Sequence, residues 1–222
     1  MHPYVTSLKN LFEKNADPPQ IPAMKKYMRD QFEYLGIKSP KFKELLKGFL
    51  SENGLPPVGE LDTIARELWS LPQREFQYLG VSLIGRSENQ LLAEFIETLE
   101  YLIVTKSWWD TVDSIAGGVV GTHFKRYPAV KKKYLAHWRK SEDFWLRRTT
   151  ILFQLGYKKE TDFELLCDII RENLDSKEFF INKAIGWALR QYARVDSKAV
   201  KKFVKATPLH PLSRREAMKH LE

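Results

Sequence analysis

The stretch Thr105–Ile115, TKSWWDTVDSI, decides the fold, because it sets two adjacent tryptophans and two aspartates into what reads as the first turns of a helix. Ser107 is the expected N-cap, and Asp110, three residues on, completes a capping-box-like pattern. Trp108, Val112, Ile115 and Val119 keep helical spacing and form an inward stripe, whereas Trp109 and Asp113 lie one turn apart on the neighbouring face. An aromatic plate therefore sits beside a carboxylate. A purely structural role is open to both residues, the aspartate complementing a helix dipole and the tryptophan packing, so the neighbouring sequence has to decide.

Outward from this stretch the chain is helix after helix. Downstream, PAVKKKYLAHWRK begins at Pro128, Ser141 with Glu142 and Asp143 opens EDFWLRRTTILFQLG, Asp175 with Glu178 opens KEFFINKAIGWALRQYA, and Ser213 with Glu216 forms a capping box in the last helix. Upstream, residues 2–14 are amphipathic until DPPQIP at Asp17–Pro22, and a second helix, KKYMRDQFEYLG, is expected to end near Gly36. Ser39 caps a third helix with Pro40 at its first position; Phe42, Leu45, Leu46 and Phe49 carry it to Gly54 and Pro56-Pro57. GELDTIARELWS and PQREFQYLGVSLIG, parted only by Leu71-Pro72, imply a packed antiparallel pair, and a further helix runs from Ser87 to about Val104. No alternating strand run appears.

Phe76, Trp109, Trp145 and Phe180 all fall near expected helix starts, at intervals of 33, 36 and 35 residues. Paired helices repeating at that period predict an all-α fold, a right-handed type of α-solenoid with about six HEAT-like helix pairs, 1–222 forming a single domain and the inner helices lining a concave basic face.

Composition points to the partner. Of 222 residues 43% are hydrophobic, enough for a real core, and 36 Lys and Arg against 28 Asp and Glu give a formal charge of +8. That balance favours an anionic partner, nucleic acid first. Cys167 is the only cysteine, which excludes an intrachain disulfide; no Cys/His cluster offers a zinc site, and His2, His123, His137, His210 and His220 lack ligand spacing. No apolar run approaches the roughly 20 residues of a membrane helix, and the N-terminus lacks a signal-like core, so a cytoplasmic setting is expected.

Two features bear on where that partner would lie. Gly117, Gly118 and Gly121 in the helix after TKSWWD each cost about 1 kcal/mol relative to alanine, which calls for a close approach, by another helix or by a nucleic-acid backbone. Arg147 and Arg148 sit one turn into their helix, and Lys183, Arg190 and Arg194 accompany Trp187 on theirs; as a set they read as phosphate contacts. Lys131–Lys133 reads as a solvated helix face.

YLIVTKSWWDTVDSI (101–115), WLRRTTILFQLGYK (145–158), SKEFFINKAIGWALRQYA (176–193) and PLSRREAMKH (211–220), with MHPYV and MKKYMRDQFEYLGI near the start, resemble the AlkD family of HEAT-like repeat DNA glycosylases. The similarity runs nearly from end to end. It implies an enzyme that holds duplex DNA and releases cationic alkylpurines such as N3-methyladenine and N7-methylguanine, as a monomer, with no cofactor and no metal. It also implies roles for Trp109, Asp113 and Trp187 at the lesion, for Arg148 at the backbone, and for Tyr27 as a further aromatic near the site.

The chemistry is consistent with one carboxylate. Glycoside hydrolysis normally takes two, one protonating the leaving group and one facing the oxocarbenium-like sugar. A purine alkylated at N3 or N7 already carries positive charge and departs as a neutral base, so Asp113 alone suffices, while no lysine on its face offers a Schiff-base step. Two other readings remain: a noncatalytic relative binding bent or branched DNA, which would not need the Trp109, Asp113, Arg148, Trp187 set, and a protein-binding scaffold, which the +8 charge disfavours.

Overall fold

The computed structural model describes residues 1–221. Among them no β-strand occurs, and the chain runs through α1 (Pro3–Lys14), α2 (Ile21–Tyr27), α3 (Ser39–Asn53), α4 (Leu61–Ser70), α5 (Arg74–Ser87), α6 (Ile96–Val104), α7 (Trp109–Ser114), a π-helical segment (Ile115–Val120), α8 (Gly121–Arg126), α9 (Pro128–Trp138), α10 (Phe144–Leu152), α11 (Phe163–Arg171), α12 (Phe179–Tyr192), α13 (Ser197–Ala206) and α14 (Pro211–Met218). The all-α expectation holds. No helix among the described residues is long and apolar enough to cross a membrane. The chain forms two compact units, Met1–Thr98 and Leu99–Glu222.

In the first unit the apolar face of α4 (Leu61, Ile64, Ala65, Leu68, Trp69) is buried. α5 packs on it, with Gly80 facing the Trp69 ring. The expected second helix is corrected. α2 stops at Tyr27, and Arg29 and Asp30 adopt positive φ of 55° and 57°. What replaces the helix is a long-range capture. The Glu75 carboxylate, fully buried on α5, accepts backbone N–H bonds from Leu35 at 3.0 Å, Gly36 at 3.0 Å and Ile37 at 3.1 Å. Three amides claimed from 40 residues away cannot also donate within a helix. Gly36, at φ 87°, is required there, since a Cβ would lie 2.1 Å from the Asp17 carbonyl oxygen.

In the second unit the expected period recurs with one correction, Trp108 standing with Trp145 and Phe180 while Trp109 lines a cavity. Trp145 and Phe180 sit one residue inside α10 and α12, and with Trp108 just ahead of α7 they form one aromatic cluster, with ring centroids 4.9 to 6.1 Å apart. The starts of these three helices thus lie at one edge. Polar contacts repeat at the same separation: Lys125 with Glu160 at 2.6 Å, Arg139 with Glu172 at 2.7 Å, and the Tyr157 hydroxyl with the Gly121 carbonyl at 2.7 Å. Each repeat touches the next, as in a solenoid.

Several expected caps are corrected. Ser107 does not cap α7; its hydroxyl donates to the Ile103 carbonyl, and Trp108 takes the N-cap place with no side-chain bond. Asp143 caps α10, accepting from Trp145 and Leu146 amides, with Ser141 bracing it from behind. α12 starts after Glu178, and Asp175 plays no part. α14 is capped by His210, while Ser213 is buried and donates to Asn182 on α12. α3 begins at Ser39 itself, with Lys38 as cap. Of these side chains, Ser213 alone finds its partner across the repeat; Ser107 bonds one turn back, and Asp143 and His210 cap their own helices.

The TKSWWD helix holds a feature periodicity did not reveal, the π segment Ile115–Val120, closed by the Gly121 amide donating to Ala116. Of its glycines, Gly121 has the close approach: a Cβ would lie 2.6 Å from the Phe153 carbonyl oxygen, whereas nothing lies within 4 Å of one at Gly118. The Gly121 approach is therefore to another helix.

Candidate active site

Val112, Ile115 and Val119 are buried and anchor the TKSWWD helix. Anchoring that stripe leaves Trp109 and Asp113 facing a cavity of about 360 Å³, lined also by Arg148, Phe179, Phe180, Lys183, Trp187, Arg190 and Glu216. Four helices supply it: α7 gives the tryptophan and carboxylate, α10 gives Arg148, α12 gives Phe180, Lys183, Trp187 and Arg190, and α14 gives Glu216. Trp109, Asp113, Arg148 and Trp187, four positions up to 78 residues apart in sequence, meet here.

Arg148 is only 4% exposed and Asp113 13%. They form a bidentate pair, Nε to Oδ1 at 2.7 Å and Nη2 to Oδ2 at 2.8 Å, while Nη1 donates to the Phe180 carbonyl. The guanidinium thus binds three oxygens of the protein, a fixed fork holding a carboxylate. The backbone phosphate contact expected of Arg148 would have to compete with Asp113 for the guanidinium. Burial pushes the Asp113 carboxyl above its ordinary range; the Arg148 hydrogen bonds and charge oppose that, and Asp110 adds slightly to it. A carboxylate offers about four lone-pair directions, of which the arginine takes two, so two remain for the cavity.

A second charged group closes the other side. Glu216 on α14 reaches Lys183 Nζ at 3.0 Å with one oxygen and Arg190 Nη1 at 2.7 Å with the other, and Arg190 also donates to the Glu216 carbonyl at 3.1 Å. These partners hold its carboxyl well below the usual range, at about 2. Sequence reading took Glu216 for a capping residue, yet Lys183 and Glu216 are one repeat apart, as are Asp113 and Arg148, and opposite charges at that spacing were the available signal.

The remaining candidates divide. Arg147 turns back to the carbonyls of Ser141 and Glu142. Arg194 is exposed and borders a different, larger cavity of about 770 Å³ with Lys125, Lys158, Lys159, Tyr157 and Tyr192, so the five cations do not converge on one groove. Tyr27 ends α2 in the other unit, 72% exposed. The site therefore combines a largely buried carboxylate locked in orientation, aromatic side chains in the cavity lining and two further cations, which suits an electron-poor ligand beside an anionic group.

The comparisons with known proteins bear on the family of the chain. No match is found among curated proteins. Among solved structures, a predicted DNA alkylation repair enzyme from Enterococcus faecalis superposes with a TM-score of 0.85 at 31% identity, covering 92% of this chain and 96% of that one. The family model for DNA alkylation repair enzymes matches residues 8–221, nearly the whole sequence and every residue of the cavity. The chain belongs to the DNA alkylation repair enzyme family.

Proposed function

We propose that the protein is a DNA glycosylase acting on duplex DNA, which hydrolyses the N-glycosidic bond of cationic alkylpurines, N3-methyladenine and N7-methylguanine, and leaves an abasic site without cutting the strand. The observation that carries this reading is the Asp113 carboxylate, oriented by a buried arginine and lining a cavity that Trp109 and Trp187 also line. As the bond to the sugar lengthens, positive charge moves from the base to the sugar ring, and Asp113 is the anion placed to meet it. A preorganised charge in a water-poor site counts for more than the same charge in solution. One of its free lone pairs would also receive the proton of the attacking water as the water adds to the sugar carbon.

Trp109 and Trp187 favour a cationic base through their ring faces, by roughly 0.5 to 2 kcal/mol each. A neutral, undamaged purine receives less of this attraction and is a worse leaving group, so discrimination arises in the bond-breaking step as well as in binding. The test is direct: incubation of the protein with methylated duplex DNA, the released bases identified by mass spectrometry. Release of N3-methyladenine or N7-methylguanine supports the reading; duplex binding without any release sinks it and leaves the noncatalytic DNA-binding alternative.

A further inference from the structure

We infer that Glu216 is a positioning residue, which holds Lys183 and Arg190 as a two-cation clamp for one backbone phosphate next to Asp113. The inference rests on the glycosylase reading for its consequence but on geometry for its substance.

α14 is built to deliver this carboxylate to one place. Gly186 on α12 has no side chain where a Cβ would lie 2.4 Å from the Glu216 Cβ and 2.9 Å from the Ser213 carbonyl oxygen. The two helices approach as far as their backbones allow, and the Ser213 hydroxyl, fully buried, locks them by bonding the Asn182 carbonyl and side-chain oxygens at 2.9 and 3.0 Å. Glu216 consequently has a fixed root. Its two oxygens are divided between two cations seven residues apart on α12, so each side chain is held at one point rather than sampling many rotamers.

The cations are not consumed. Lys183 remains 38% exposed and Arg190 26%, against 17% for Glu216, and both line the cavity. An ammonium has three donors and a guanidinium five, so Glu216 engages only a minority of them. Around the cavity three cations meet two carboxylates, and the excess of one positive charge fits one phosphate. Arg148 is not available for it, being spent on Asp113 and the Phe180 carbonyl. Fixing the phosphate fixes the adjoining sugar, and the sugar's distance from Asp113 sets how strongly the carboxylate acts.

The test uses the full chain and its Glu216→Gln, Lys183→Met/Arg190→Met and combined variants, with thermal melts. Single-turnover release of N7-methylguanine at saturating protein is expected to fall roughly tenfold in Glu216→Gln, the lower range for losing a group that orients another. Affinity for undamaged duplex and its salt slope should hold, since both cations remain, and the loss should vanish when Glu216→Gln is added to the Lys183→Met/Arg190→Met background. Tighter duplex binding with a steeper salt slope in Glu216→Gln would overturn the inference, because Glu216 would then compete with phosphate. An equal loss in both backgrounds would overturn it as well. A scan of duplexes carrying single neutral methylphosphonates separates this inference from the glycosylase reading: the full chain should show one position of pronounced binding loss, flattened in Glu216→Gln, even if no base is released.

Discussion

Glu75 and Asp113 are two buried carboxylates pushed upward from the ordinary range by the same cause, loss of water, and they have opposite uses. Glu75 is wholly buried and spends its oxygens on the amides of Leu35, Gly36 and Ile37, closing a segment that would otherwise carry unsatisfied donors. Asp113 spends half of its capacity on Arg148 and turns the rest to a cavity. An upward shift of this kind therefore marks loss of water and does not by itself tell the two uses apart. What separates a structural carboxylate from a chemical one is whether an acceptor direction is left with room for a ligand beyond it.

The strongest way to break this contrast is Asp113→Asn. Excision in a single turnover is expected to drop on the order of 100-fold or more, with binding of undamaged duplex unchanged or tighter. Arg148 would lose its counter-ion inside the protein, so a melt several degrees lower should accompany the loss, and rates must be compared below that melt. A folded Asp113→Asn that excises at the parent rate would sink the electrostatic role.

Glu75→Gln tests the other side. Three amides share one neutral acceptor, and stability should fall by about 1 to 3 kcal/mol in a denaturant titration. The rate of excision per folded molecule should stay within about twofold; a large loss would erase the distinction between the two carboxylates.

pH sharpens it further. Only ionised Asp113 opposes positive charge, and its folded pKa lies above the ordinary value. Activity should accordingly begin to fall at a higher pH than an exposed aspartate would give, as pH drops through that raised value, with the acid limb absent from Asp113→Asn. Glu216 runs the other way, being depressed to about 2: its stabilising contribution is complete above the unfolded value near 4.5 and is lost as pH falls from there toward 2, so Glu216→Gln should have a flatter acid-unfolding profile over that window. The smallest effect belongs to Asp110→Asn, at the first turn of α7, with roughly 1 kcal/mol or less of stability lost and excision retained. An inactive Asp110→Asn would move the chemistry to the Asp110 face of α7 and away from Asp113.

Much of this was legible from residues near each other in sequence. The stripe Val112, Ile115, Val119 and the shared face of Trp109 and Asp113 follow from helical spacing alone, and the α4–α5 pair follows from a two-residue break. The stretch after Tyr27 was not, because its conformation is decided by a carboxylate 40 positions on. Arg148 reads as a phosphate ligand until its partner is seen, since an arginine at a helix start carries no sign of whether it will be buried. Ser213 and Glu216 spell a capping box, but Asn182, Lys183 and Arg190 offer stronger partners across one repeat. Local patterns failed where the repeat supplied a better contact.

The π segment Ile115–Val120 separates two stretches of one continuous helix that answer to different neighbours: Trp109 and Asp113 before it, and Gly121 against Phe153 after it. Its wider turn shifts the angular phase between them, so each half can keep its own alignment. Rewinding the same residues with the ordinary α hydrogen-bond pattern would turn the half that carries Asp113 by roughly a quarter turn relative to the packed half. The segment thus works as a phase adjuster between scaffold and chemistry, and the length of this turn, as much as the identity of Asp113, specifies where the charge points.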